Sequence, residues 1–135
     1  MKLEATIFDT EGHYLTLNEF KFNGDYLSAF ISIRSNWYNA KVKFESSRER
    51  MEDFIVSLEA LVSYKTDNIG FINDDGNVDI NFSLNTSGKV TLKGCLINDM
   101  MEESSLIYEI ESDSQSINDF YFTLKKILYS FNDMK

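Results

Sequence analysis

The sequence lacks the residues on which several classes of functional site depend. It contains no proline, one cysteine (Cys95) and one histidine (His13) among 135 residues. A single cysteine forms no internal disulfide, and one cysteine with one histidine cannot supply the paired ligands of a zinc site. Catalysis by a Cys–His or Ser–His pair would need these single copies to meet partners far away in the chain. We therefore expect no disulfide, no metal site and no catalytic residue.

Motifs that bind phosphate or calcium are missing as well. The chain contains neither GxxxxGK[ST] nor GxGxxG, the glycine-rich patterns that cradle phosphate groups. Residues 73–79 (NDDGNVD) resemble a calcium loop, but the order of the acids is wrong and the glutamate at the twelfth position is absent. We interpret this segment as a hairpin turn, and we expect no cofactor and no enzymatic activity.

Long apolar runs are absent and basic residues are scarce. No segment approaches the roughly 20 apolar residues of a membrane helix, and residues 1–6 (MKLEAT) lack the apolar core of a signal peptide. With 22 acids against 13 bases, the formal charge is −9. Such a field repels nucleic acid and anionic membranes, and it attracts basic partners or simply keeps the protein in solution. We therefore expect a cytoplasmic protein that binds neither nucleic acid nor membrane.

Two segments have the periodicity of amphipathic helices. The first begins with a capping box formed by Ser46 and Glu49 and ends near Val62. The second begins at Ser114 or Ser116 and ends near Phe131. Each has one apolar stripe, which in the first helix consists of Met51, Phe54, Ile55, Leu58, Leu61 and Val62. Each helix must therefore pack with one side against another layer.

Short alternating segments elsewhere predict antiparallel strands. A change of phase within residues 14–22 predicts a β-bulge near Asn18 and Glu19, and Asn23-Gly24 predicts a hairpin turn. The simplest assembly is one α+β domain over residues 1–135. We predict a two-layer sandwich, with a mainly antiparallel sheet of about seven to eight strands and both helices on one face. The predicted strands are 3–9, 14–22, 26–34, 37–45, 69–72, 78–84, 89–97 and 106–111.

Acidic residues are concentrated in the second half of the chain. Between residues 66 and 124 there are eleven acids, and the only bases within this range are Lys89 and Lys93. We predict an acidic docking surface that would speed association with a basic partner; the alternative is an ordinary solvated face. The predicted partner-binding residues are Asp99, Glu102, Glu103, Glu109, Glu111 and Asp113.

Aromatic residues form a second feature, in the first half of the chain. Part of an aromatic cluster alternates away from the presumed core, and exposed aromatic residues are common anchors of interfaces. Alternatively, Trp37 closes one end of the core. The aromatic residues are Tyr26, Phe30, Trp37 and Tyr38. Separately, the bases gather outside the acidic segment, at Lys41, Lys43, Arg48, Arg50, Lys125 and Lys126.

The order of these elements resembles the WapI-type family of small bacterial immunity proteins. The likeness is carried by Phe54, Leu58 and Leu61 and by segments 87–94 (SGKVTLKG) and 106–117 (LIYEIESDSQSI). It implies a protein that neutralises a cognate bacterial toxin domain, often a nuclease, by binding without catalysis. A basic, phosphate-gripping toxin would fit the acidic surface.

Two alternatives to an immunity function stay open at this point. One is a small-molecule-binding or regulatory module with an apolar pocket between sheet and helices. The other is a weak hydrolase that uses two of the many carboxylates.

Overall fold

The chain forms the same series of elements twice, four strands followed by one helix. The computed structural model describes residues 3–8, 11–35, 38–97 and 105–132. The first series consists of β1 (Glu4–Phe8), β2 (Tyr14–Asn23), β3 (Tyr26–Ser35), β4 (Tyr38–Ser47) and α1 (Arg48–Val62). The second consists of β5 (Asn68–Ile72), β6 (Val78–Leu84), β7 (Lys89–Ile97), β8 (Ser105–Asp113) and α2 (Ser114–Asn132).

Each series builds its own antiparallel sheet. The strand orders are β1-β2-β3-β4 in the first sheet and β5-β6-β7-β8 in the second, so that neighbours in sequence are neighbours in space. The predicted hairpin joins β2 and β3 through the two turn residues Gly24 and Asp25, and Gly24 has a positive φ of 62° that glycine adopts without strain. The predicted α+β class, with antiparallel strands and two amphipathic helices, is confirmed, and the strands divide into two sheets of four.

A β-bulge interrupts β2 where the sequence predicts one. The pairing with β3 shifts between Asn18 and Lys21, and Glu19 adopts a positive φ of 54°. The extra residue places Phe22 opposite the buried Leu27, so Phe20 and Phe22 pack against the core after the change of phase. It also places Lys21 opposite Ser28, on the solvent side of the sheet.

The core is one cluster that contains residues from both sheets and both helices. Phe54 of α1 lies at its centre. Its ring centroid is 4.7 Å from that of Phe71, 5.9 Å from that of Phe82 and 6.4 Å from that of Phe120. Such aromatic contacts add to the burial of apolar area, so this side chain joins α1 to the second sheet and to α2.

Hydrogen bonds from polar side chains connect the two sheets at both edge strands of the first sheet. The buried Asn73, in the turn between β5 and β6, donates from Nδ2 to the Glu45 carbonyl oxygen (3.0 Å), and its Oδ1 accepts from the Val78 amide (2.9 Å). At the other edge, the Ser112 hydroxyl donates to the Phe8 carbonyl oxygen (2.5 Å). Residues 73–79 are thus a hairpin turn, as predicted, and their asparagine holds the edge of β4.

Equivalent residues cap the two helices. The Arg50 amide donates to the Ser47 hydroxyl (3.2 Å), and the Ser116 amide donates to Asp113 Oδ1 (2.8 Å). Ser47 therefore caps α1, and not Ser46 as predicted. Ser46 is buried because it alternates onto the core side of β4. Ser47 and Asp113 occupy the same position in the two series and provide an alignment between them.

The described residues include neither a membrane-spanning helix nor a cluster of metal ligands. No helix there is both long and apolar enough to cross a bilayer. Within the same residues, no group of three or more His, Cys, Asp or Glu side chains is arranged to hold a metal ion.

Gly94 is a glycine for steric reasons. It lies on the core side of β7 opposite Tyr108, whose hydroxyl donates to the Asp79 carbonyl oxygen at 3.0 Å. Burial, and then the charge of Asp79, raise the pKa of the Tyr108 phenol, so the hydroxyl stays a donor at physiological pH. A Cβ at position 94 would overlap the Asp79 carbonyl oxygen and lie 2.6 Å from the Tyr108 hydroxyl oxygen.

We predict that Gly94→Ala lowers the free energy of unfolding by about 1–3 kcal/mol, because the backbone of β6 must move to admit the methyl group. Urea denaturation measures the change. The control is Gly70→Ala in the same sheet, where a Cβ would make an ordinary contact of 3.7 Å with the Ile80 carbonyl oxygen. Equal effects of the two substitutions would contradict the steric argument.

We also predict that Asp113→Ala destabilises the protein by about 0.5–2 kcal/mol through the loss of the α2 cap. Asp113→Asn retains an acceptor that caps equally well, so it should cost much less. Thermal denaturation of the two variants separates the cap from the negative charge. If both variants lose the same stability, the charge and not the hydrogen bond to Ser116 is responsible.

Candidate functional site

The outer face of the first sheet combines aromatic and basic side chains. On β3, Leu27, Ala29, Ile31 and Ile33 are buried, so the alternate residues point away from the core. The same alternation turns lysines of β2 and β4 outward. We call the following residues together the basic face: Lys21, Tyr26, Phe30, Arg34, Lys41 and Lys43.

The strand register brings these residues together around Phe30. Lys43 lies directly opposite Phe30 on β4, and Asn18 lies opposite it on β2. Lys41 is opposite Ser32, one step along the same face, and its Nζ lies 4.6 Å from the Phe30 ring centroid. Phe30 thus has Lys43 as its cross-strand partner and the Lys41 ammonium over its ring.

The bulge in β2 contributes a carboxylate to this arrangement. Glu19 Oε2 lies 3.1 Å from Lys41 Nζ, and both side chains are more than half exposed (54% and 52%). Exposed ion pairs of this kind are worth only about 0–1 kcal/mol. The Lys41 ammonium can therefore exchange Glu19 for another anion at little cost.

The charge balance of this outer face differs from that of the whole chain. Bases outnumber acids here, whereas the chain has 22 acids and 13 bases. Among the described residues, the acids on this side are Glu4, Glu19 and Glu45, against the bases Lys21, Arg34, Lys41 and Lys43. An acidic molecule therefore presents one sheet face on which positive groups prevail.

The second sheet has different side chains at the equivalent positions. Aligned on the helix caps, Lys43 and Lys41 correspond to Glu109 and Ile107, and Phe30 corresponds to Lys93. The lysines of this face have acidic partners across the strands. Lys93 Nζ lies 3.7 Å from Glu109 Oε1, and Lys89 Nζ lies 3.4 Å from Glu111 Oε1. Acidic partners therefore neutralise these lysines of the second sheet, whereas on the outer face of the first sheet the bases outnumber the acids.

The predicted acidic docking residues fall into two groups. Asp99, Glu102 and Glu103 lie outside the described residues. Glu109, Glu111 and Asp113 lie together on the outer side of β8, but the first two form ion pairs with lysines of β7 and Asp113 caps α2. The run of acids in the sequence is thus partly explained by local structural partners.

One cleft lies beside these acids, at the end of the second sheet. It has a volume of about 400 Å³. It is lined by Glu11, His13, Lys89, Glu109, Glu111, Ser112 and Asp113. Small-molecule pockets are lined mostly by hydrophobic and aromatic side chains, whereas every residue that lines this cleft is polar or charged. The cleft is also not between sheet and helices, where the alternative prediction placed a pocket.

Parts of the basic face are visible in the sequence, but as separate features. Tyr26 and Phe30 stand out there as exposed aromatic residues, and Lys41 and Lys43 as bases. Lys21 and Arg34 were missed as members of the same surface. For Arg34 the signal was present in the alternation of β3, whereas Lys21 reaches this face only after the bulge in β2.

Comparisons with known proteins rest on structure alone. No family model matches the chain, and no curated protein matches it. The fold is similar to that of MRP1/MRP2 from Trypanosoma brucei, with a TM-score of 0.58 and 10% identity over 98% of this chain and 85% of that one. It is also similar to a guide-RNA-binding protein complex bound to a guide RNA, with a TM-score of 0.56 and 11% identity over 99% and 94% of the two chains. At this identity the likeness shows a shared fold.

These neighbours correct the predicted function and partner. The sequence predicted an immunity protein that neutralises a basic toxin domain and excludes nucleic acid; that prediction is wrong, since the fold is one that a guide-RNA-binding complex uses. The physical reason for the error is that the net charge is a sum over the whole surface, so it does not show that bases outnumber acids on one face. The resemblance to the WapI-type family itself stays a prediction that no match tests.

Proposed function

We propose that this protein binds RNA through the basic face of its first sheet. The observation that carries the proposal is the juxtaposition of Phe30 with Lys41 and Lys43 on the solvent side of an otherwise acidic molecule. RNA-binding sheets combine aromatic side chains, which stack on bases, with cations that contact phosphate groups. The fold shared with a guide-RNA-binding complex supports the same assignment.

In this proposal, the cations hold the phosphate backbone. Lys21, Arg34, Lys41 and Lys43 are all exposed and come from three adjacent strands. Each phosphate that they neutralise releases counterions, which supplies most of the sequence-independent affinity. Ser28 and Ser32 lie between them on β3 and offer hydroxyl groups to phosphate or sugar oxygens.

The formal charge of −9 does not prevent this binding. At physiological salt the Debye length is about 8 Å, so exposed acids on distant surfaces are largely screened. The local balance of the basic face then governs affinity. The acids elsewhere reduce long-range attraction, and we expect association that is slower and more selective than that of a uniformly basic protein.

The proposal is one of binding without catalysis, carried out by a single domain. The core cluster that spans both sheets supports the single domain. A cytoplasmic location is part of the proposal and rests on the single cysteine, which favours a reducing compartment.

We predict that the double substitution Lys41→Gln with Lys43→Gln weakens binding to a labelled single-stranded RNA oligonucleotide. It should also reduce the slope of log affinity against log salt concentration by about 0.7 for each phosphate that is no longer neutralised. Fluorescence anisotropy titrations at several salt concentrations measure both quantities. Circular dichroism verifies that the exposed substitutions leave the fold intact.

The matched control is Lys89→Gln with Lys93→Gln, which removes the same charge from the outer face of the second sheet. Because those lysines lie outside the basic face, on a sheet whose outer face also carries Glu109 and Glu111, we expect affinity and slope to change little. Similar losses in both double variants would mean that only total charge matters, and no detectable binding by the unmodified protein would refute the proposed function.

We also predict that Glu19→Asn strengthens RNA binding by about 2- to 5-fold, as expected for the release of an exposed ion pair. The substitution frees Lys41, and asparagine tolerates the positive φ of this position. The same titration at low salt measures the gain. Glu109→Gln, which frees Lys93 on the second sheet, is the control, and an equal gain there would contradict the assignment of the binding face.

A further inference from the structure

Phe30 lies on the outer side of the first sheet, where its side chain is half-buried. Its neighbours on β3, Ala29 and Ile31, are buried in the core, whereas Phe30 lies on the opposite side. The residues two positions away on the same face are Ser28 and Ser32, which are too short to cover the ring. The ring is therefore partly accessible to solvent on the outer face, with Asn18 and Lys43 as its cross-strand neighbours.

The ring of Phe30 has a cation over its face. Lys41 Nζ lies 4.6 Å from the ring centroid and 3.1 Å from Glu19 Oε2. The contact is exposed, and such cation–π contacts are weak. The ammonium can therefore leave the ring for a nearby phosphate group, and its departure uncovers a flat aromatic surface.

We infer that Phe30 is a stacking platform for an unpaired nucleobase, and that Lys41 moves from the ring to the phosphate group of the nucleotide that stacks there. Lys43, directly across from Phe30, is placed to contact the next phosphate along the strand. The inference rests on the proposed RNA binding and adds the class of RNA, because a base inside a duplex has no free face to stack on a protein side chain.

Tyr26, the first residue of β3, extends the same surface. It is 58% exposed and lies on the same side of the strand as Phe30, four residues away. The basic face therefore offers two separated aromatic rings with lysines beside the central one. This arrangement fits a flexible single strand better than a rigid helix, whose phosphates alone would face the sheet.

The test compares a labelled oligouridine with an RNA duplex of the same length, each titrated against the whole protein and its variants. Phe30→Ala should lower affinity for the single strand by about 5- to 150-fold, the range for the loss of one base–aromatic stack. The salt slope should stay unchanged, because the substitution leaves every cation in place. Affinity for the duplex should also stay unchanged.

Two further variants keep the test decisive. Phe30→Leu keeps an apolar side chain without an aromatic face, so it should lose nearly as much affinity as Phe30→Ala, whereas Phe30→Trp should retain it. Phe122→Ala is the control, since Phe122 is a 52% exposed aromatic residue on α2, outside the basic face; it should have no effect.

Two results would overturn the inference while leaving the proposed function standing. One is single-strand affinity that survives Phe30→Ala with a normal dependence on salt. The other is an equal loss for single strand and duplex. A protein that binds neither RNA would refute the inference together with the proposed function.

Discussion

The pairing of β3 with β4 is the constraint on which both the fold and the proposed site depend. The ten cross-strand pairs run without interruption from Tyr26–Ser47 to Ser35–Tyr38. If the pairing slipped by one residue, the side chains of Leu27, Ile31 and Ile33 would face the solvent, so their burial enforces this register. The same register sets Lys43 against Phe30 and Lys41 beside it. Core packing therefore fixes the chemistry of the opposite face.

The two series of strands show how one backbone plan can carry different surfaces. Both sheets end in a capped helix, and at positions aligned on the helix caps their outer faces carry side chains of different charge. On the second sheet, Glu109 and Glu111 neutralise the lysines of β7. On the first sheet, only Lys41 has a described carboxylate partner, and that partner comes from a bulge. A bulge of one residue thus adjusts the charge of the proposed site.

Local features of the structure were predictable from the sequence, and nonlocal ones were not. The bulge at Asn18 and Glu19, the turn at Asn23-Gly24 and the apolar stripe of α1 each depend on neighbouring residues. The division into two sheets and the pairing of the β8 acids with β7 depend on contacts across strands. The function was misjudged for the same reason, because a net charge of −9 does not say which faces carry the bases.

The most direct test of the account is to map the RNA contact surface by nuclear magnetic resonance. At 15.6 kDa the protein is small enough for amide spectra recorded during titration with a single-stranded RNA oligonucleotide. The account predicts that shift changes concentrate on β2, β3 and β4, with the largest around Phe30, Lys41 and Lys43. Changes confined to the outer face of the second sheet or to the helices would contradict it.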